Sequence, residues 1–438
     1  MHQHSSKPKQ FDVAIIGGGP AGASVATFLA QKRWRVTLIE KVQHPRFHIG
    51  ESLLPQNLPI IERLGLSHEI SEIGVLKPGV EFVSPQHEKR KSYFFRDALF
   101  PSPTYSFHVQ RAEFDEILFR HAIKAGVTVR ENSLVTETER TAAGWNLSLR
   151  ESGEADEVSA KYLIDASGRD GFMARKHGLR TRDRKHNSAA LFTHYKNVSP
   201  DAWGTAGNIA IYWFEHGWIW MIPLPDGITS IGAVCMPDYL NTRVGGLEEF
   251  FEDTLRLCPK ALAVMKDATR VSGVTGAGNY AYKAKQAFGD GYLLIGDSYA
   301  FLDPVFSTGV LLAMSSAERA ALVVDAILGN SAKAAGLKRT YQRDLNRAIR
   351  RITWFVVRFN TPVLKYLFMG SRDVLGVTKS VISILSGDVY RRGTLGWRLG
   401  IFKIMFAVSH IKIRKLNKAA SKRLRQLPAI SMPENESS

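Results

Sequence analysis

Residues 11–40 read FDVAIIGGGPAGASVATFLAQKRWRVTLIE. The opening FDVAII is a short apolar run rich in β-branched residues, the composition of a buried strand. Gly17-Gly18-Gly19-Pro20-Ala21-Gly22 follows, then ASVATFLAQK with helical spacing, then WRVTLIE, a second strand with Glu40 at its tip. Strand, glycine turn, helix and strand within about 30 residues make the βαβ unit that opens a dinucleotide-binding fold. In a G-x-G-x-x-G loop the first glycine makes the tight turn. The second lets the backbone approach a pyrophosphate, and the third lets the helix pack close on the strand. Gly17, Gly19 and Gly22 hold these positions. The helix N-terminus offers free N–H groups and a positive dipole end to the phosphates. Glu40 stands about 20 residues on, where an acid accepts ribose hydroxyls. The loop alone does not choose between FAD and NAD.

A second stretch makes that choice. GYLLIGDSYAFLDPVFSTGV (291–310) delivers Gly296-Asp297 from a buried strand, and an aspartate at a strand tip binds a ribityl hydroxyl. Pro304, Gly309 and Val310 belong to a turn whose N–H groups open a helix, expected over 308–328, toward a flavin ring. DASGRDG (165–171) and Arg111 in VQRAEFDEIL complete the pattern. Together with the first loop, these segments resemble the FAD-dependent monooxygenase superfamily and its hydroxybenzoate-hydroxylase-like fold over roughly residues 11–330. The resemblance implies an α/β fold, α+β overall: a Rossmann-like FAD-binding domain, an antiparallel-sheet substrate domain and a helical C-terminal segment.

Within that superfamily the chain most resembles the flavin-dependent halogenases. Trp218-Ile219-Trp220-Met221-Ile222-Pro223 matches their WxWxIP signature, and LDPVFSTGVLLA (302–313) resembles their DPxFSSGVxLA helix start. GESLLP (50–55) resembles the flavin-contacting loop, which gives Glu51 and Ser52 that role. KPGVEF (77–82) resembles K-x-G-A-x-F, with Val80 in place of alanine, and makes Lys77 the catalytic lysine. Taken singly, two tryptophans on one strand face are core and a lysine is surface. The match of whole motifs outweighs both readings.

The resemblance implies FADH2- and O2-dependent halogenation through a flavin hydroperoxide and hypohalous acid, with FADH2 supplied by a separate flavin reductase. Thr308 and Gly309 would hold the halide, chloride or bromide, at a helix N-terminus. Lys77 would hydrogen-bond the hypohalous acid or form a haloamine, and desolvation would depress its pKa. Trp218, Trp220 and Phe306 would wall the substrate chamber. Phe306 stands where tryptophan halogenases carry a glutamate, two residues before the halide-binding threonine. Free tryptophan is therefore a poor candidate, and an electron-rich aromatic, phenolic or tethered to an acidic acyl carrier protein, is the expected substrate. Ser298-Tyr299 departs from the small residues usual after Gly-Asp.

The rest of the chain bounds this reading. It has 438 residues and a net charge of +17. All of the excess lies after residue 330, where 22 Lys and Arg face 5 Asp and Glu. A basic amphipathic segment such as 398–426 suits an acidic carrier protein or a membrane surface; without a recognition module, nucleic acid does not fit. Cys235 and Cys258 make no disulfide framework, and the 13 histidines show no metal-ligand spacing. No signal peptide or transmembrane run is read, so a cytoplasmic enzyme, peripheral at the inner membrane if the tail binds lipid, is expected. The expected organisation is an FAD-binding domain from 11–185 and 285–330, a sheet domain at 186–284, a basic helical region at 331–430, and flexible tails at 1–10 and 431–438. Two readings compete: an aromatic hydroxylase or geranylgeranyl-reductase-like enzyme with the same flavin, and a non-catalytic membrane-attached flavoprotein.

Overall fold

A computed structural model describes residues 9–85, 89–100, 102–151, 153–370 and 375–424. Strands buried on both faces read as unbroken apolar runs, and Phe11–Ile16 is buried at every position. The strand Lys9–Ile16 runs parallel to Val36–Ile39 on one side and to Glu154–Asp165 on the other. Thr128–Arg130 and Tyr292–Leu294 extend the parallel order outward. The hairpin Ser133–Thr141 and Gly144–Glu151 joins antiparallel to Glu154–Asp165, and Phe288–Gly289 pairs antiparallel with Tyr292–Leu294, so eight described strands form this sheet. Helices Pro20–Gln31, Arg111–Lys124 and Thr308–Leu328 pack in the same core. Lys9 and Gln10, expected in a flexible tail, pair instead with Val158 and Ser159 and lengthen the first strand. The tails at 1–8 and 431–438 lie outside the described residues.

A second sheet of nine described strands stands beside the first. Arg180–Lys196, Ile209–Phe214, Gly217–Pro223, Thr229–Cys235 and Thr275–Ala284 carry most of it, close to the expected 186–284. The expected boundary is too simple, because Gly79–Ser84 and Lys89–Phe94 also belong here. Gly79–Ser84 is buried throughout and pairs parallel with Ile209–Phe214, setting Val80 opposite Ile209 and Phe82 opposite Ile211. Gly79–Ser84 and Lys89–Phe94 thus leave the first sheet's part of the chain to complete the second sheet. Between the sheets, Val75–Lys77 and Ser106–His108 form an antiparallel two-stranded ribbon.

The C-terminal region is built into the body. Ala334–Val356 buries Tyr341, Leu345, Ala348, Ile352 and Phe355. Pro362–Met369, Val377–Leu385 and the start of Thr394–Leu424 add Leu364, Phe368, Val381, Leu385, Leu399 and Phe402 to the core under the second sheet. Lys365 is buried with them, its ammonium 5.9 Å from the Trp213 ring centroid, while Arg391, Arg392, Lys403 and Lys412 are exposed.

Candidate active site

The nucleotide end follows from the loop geometry. Gly17 has φ +102°, which favours glycine. A Cβ on Gly22 would come within 1.8 Å of Gly17 O, so the helix could not sit this close to the strand with any side chain there. Glu40 is buried; its Oε2 accepts the Gly18 N–H at 2.7 Å and its Oε1 the Val42 N–H at 3.2 Å. The carboxylate is thus fixed against the glycine loop. Gly19 caps Pro20–Gln31, and the space its Cβ would fill is bordered by the Arg46 guanidinium, 3.5 Å away.

Arg111 fastens the 48–52 loop. Its fork grips Asp115 at 2.8 and 2.9 Å, and Nη1 donates to the Ile49 carbonyl at 2.9 Å. Glu51 Oε1 lies 2.8 Å from His194 Nε2, while Glu51 Oε2 is buried with no hydrogen-bond partner among the described residues. Gly296 opens a turn in which Tyr282 donates to the Asp297 carbonyl at 2.7 Å. Burial pushes the Asp297 carboxyl up to about 6, opposed by Arg111 and Arg169.

Lys77 ends the ribbon strand and is 1% exposed. Its ammonium donates to Ser52 Oγ at 2.8 Å and to the Leu53 carbonyl at 2.9 Å, and sits 5.3 Å from the Phe95 ring centroid. Ser52, expected to touch flavin, is here a partner of Lys77. Burial alone lowers the Lys77 pKa from 10.5 to about 7. The lysine borders a cavity of about 20 Å³ with Leu54, Val80, Phe82, Phe95 and Phe306. Ser307, on the same cavity, has φ +54° and turns the chain from the short Pro304–Phe306 helix into Thr308–Leu328. A β-carbon-bearing residue in that conformation is uncommon and marks a constrained turn. Thr308 is buried, whereas a Cβ on Gly309 would meet nothing within 4 Å. The outer side of this 21-residue helix at Gly309 therefore borders open space, between buried Thr308 and Val310.

Trp218 and Trp220 are buried on one strand face with ring centroids 5.8 Å apart. They do not border the Lys77 cavity. Trp218 meets Phe359 at 6.0 Å, and Phe359 meets Phe306 at 5.5 Å, so the tryptophans stand one ring behind the cavity wall. Sequence reasoning missed Phe359, Phe82, Arg46 and His194. Phe82 lay inside the lysine motif, and its alternation with Val80 was a usable signal. Phe359, Arg46 and His194 reach the site through tertiary packing, which leaves no local pattern.

The sequence matches the FAD binding domain family over residues 10–356. Tryptophan 2-halogenase of Chondromyces crocatus is 35% identical over 77% of this chain and 65% of its own length. The 1H-pyrrole-2-carbonyl-[peptidyl-carrier protein] chlorinase of Pseudomonas fluorescens is 29% identical over 87% of this chain and 90% of its own. The crystal structure of CmlS, a flavin-dependent halogenase, superposes with a TM-score of 0.76 at 30% identity, covering 91% of this chain and 70% of that one. The chain belongs to the flavin-dependent halogenase family. Halogenases of this family are FAD-dependent oxidoreductases, and the residues present fit FAD. Arg46 Nε and Glu51 Oε2 are shielded from solvent and lack partners among the described residues, and the space at Gly19 and Gly309 is kept clear. If FAD binds as the family implies, Gly17, Gly19, Gly22, Glu40 and Arg46 would line its nucleotide end, and Asp297 and Gly309 its ring end. No helix among the described residues is long and apolar enough to cross a membrane, and Cys235 and Cys258 are buried thiols.

Proposed function

We propose that the chain halogenates an electron-rich aromatic, phenolic in type and presented on an acyl carrier protein, with FADH2 delivered by a separate flavin reductase. One observation carries the reading: a fully buried lysine, without a carboxylate partner among the described residues, shares a cavity with the turn that starts the Thr308–Leu328 helix. Reduced FAD, when bound, supplies the oxygen activation that oxidises halide. The Thr308 and Gly309 N–H groups, at the positive end of a long helix, hold the halide beside the flavin. Two N–H bonds of the Lys77 ammonium are taken by Ser52 and Leu53. The third is left for hypohalous acid and polarises it toward the arene. Phe306 and Phe82 exclude water, which protects that acid and strengthens the hydrogen bond. An apolar Phe306 gives an indole-type cation no carboxylate, whereas a phenol carries its own activating oxygen. The carrier tether is supported by the relative whose name contains a peptidyl-carrier substrate.

The test is Lys77→Ala in the FAD-loaded protein. Halide incorporation into phenols and carrier-bound aryl groups should vanish while FAD content is unchanged. Retained halogenation would overturn the assignment. Direct anaerobic reduction by NADH or NADPH, without a reductase, would favour the hydroxylase or reductase reading instead.

A further inference from the structure

The helix Thr394–Leu424 carries two apolar stripes. Leu395, Leu399 and Phe402 face inward and are buried. Trp397, Ile404, Val408 and Ile411 are 52%, 64%, 60% and 56% exposed. Their spacing of seven, four and three residues sets them along one line of the helix, opposite the packed stripe. One stripe is accounted for by the core; the other faces solvent.

Its electrostatic setting is one-sided. From Arg391 to Arg425 the sequence holds 11 Lys and Arg and no Asp or Glu. Of these, Arg391, Arg392, Arg398, Lys403 and Lys412 are described, and from Arg398 to Lys412 the helix strings them along roughly 20 Å. A compact acidic protein would engage one part of such a line. A plane of anionic headgroups meets all of it, and an exposed Trp-Ile-Val-Ile row beside basic side chains is the composition that settles at a bilayer interface.

We propose that the outward face of Thr394–Leu424 docks the enzyme on an anionic lipid surface, with Trp397, Ile404, Val408 and Ile411 entering the interface. The inward face ties this contact to the chamber. Phe402 stacks on Phe355 at 5.6 Å, and Phe355 meets Phe306 at 6.0 Å. The helix Thr394–Leu424 therefore stands two rings from the Lys77 cavity wall.

The experiment is co-sedimentation of the full-length FAD-loaded protein with vesicles of equal parts phosphatidylglycerol and phosphatidylcholine, and with pure phosphatidylcholine. Binding should be strong to the first, weak to the second, and diminished by salt. The Ile404→Ser/Val408→Ser variant should lose about tenfold or more in partitioning, with FAD content unchanged as the control for folding. A wild-type blue shift in tryptophan emission on the anionic vesicles, absent in Trp397→Phe, would place the stripe at the interface. No sedimentation with anionic vesicles, or equal sedimentation of the double variant, overturns the proposal. So does capture of an acidic acyl carrier protein that the same variant abolishes without any vesicle binding. Because no turnover is measured, the result is independent of whether the chain halogenates.

Discussion

The two ends of the site treat charge in opposite ways. At the nucleotide end two buried ions are matched: Glu40 accepts two backbone N–H groups, and Arg111 grips Asp115 with both arms of its fork. At the chamber end Lys77 is just as deeply buried, but its ammonium meets a hydroxyl, a carbonyl and an aromatic ring, and no carboxylate among the described residues. Matched ions hold a geometry, because satisfied charge-assisted hydrogen bonds are short and directional. An unmatched ion is poised to change its protonation or its partner, because burial has already raised the energy of its charged form. Under the proposed function, one region would hold the cofactor in place and the other would react.

The largest effect that could break this contrast is loss of turnover in Lys77→Met. If Lys77 is the reacting group, halogenation should fall by about 10³-fold or more, measured as halide incorporation with reductase present. The same variant should be more stable than the parent. Lys77 titrates near 7 when folded and near its ordinary 10.5 when unfolded. Between those values the unfolded chain binds the proton and the folded chain does not, so stability rises with pH across that window. Below about pH 7 the full penalty of a buried ammonium applies. Methionine fills similar volume without charge, so Lys77→Met should gain on the order of a few kcal/mol at neutral pH and lose the rise between 7 and 10.5. Thermal melts across that range would check it. A variant both inactive and less stable would mean that Lys77 is a structural cation and that the contrast is wrong.

At the nucleotide end the expected effect is smaller and of the opposite kind. Glu40→Ala removes the acceptor of the Gly18 N–H and the acid aimed at the ribose. FAD affinity should weaken by roughly 10–100-fold, the worth of one or two hydrogen bonds to a charged group. Stability without FAD should fall as well, since a buried N–H is left unpaired. Flavin fluorescence titration would measure the first and a melt the second. Turnover at saturating FAD should be nearly unchanged, which separates a holding residue from a reacting one.

How far the site was legible depended on whether its chemistry is local in the chain. Gly17, Gly22 and Glu40 lie within one βαβ unit, where spacing alone dictates contact, and the structure places them together. The helix from Thr308 to Leu328 was equally readable, because the Ser-Thr-Gly start and the apolar run after it define both ends. Gly79–Ser84 and Lys89–Phe94 fall within the expected 11–185 domain range but pair in the second sheet, because a strand's apolar pattern states that it is buried without stating against what. The C-terminal region was harder still. Its charge dominates any composition count, while Phe355, Phe359 and Phe402 are spaced through helices whose packing partners are distant in sequence. Lys77 was found by motif, but neither its Ser52 partner, 25 residues earlier, nor its complete burial had a local signature.

Ser52 gives the smallest effect and sharpens the contrast most. Its hydroxyl is one of two acceptors for the Lys77 ammonium, at 2.8 Å. Removing it with Ser52→Ala takes away a group that favours the charged form, so the Lys77 pKa should drop further below its already lowered value of about 7. A hydrogen bond to an ammonium is worth about 1.5 kcal/mol, so the drop should be about one pH unit. In the proposed mechanism the ammonium donates to hypohalous acid, so turnover should fall as pH rises through about 7 in the parent enzyme. In Ser52→Ala the same fall should come about one unit lower, with turnover at acidic pH little changed. Were Ser52 only a flavin contact, the variant would alter FAD affinity and leave the position of the fall where it was. A shift of the pH profile at constant FAD affinity is therefore the signature that Ser52 tunes a reactive lysine rather than holding a cofactor.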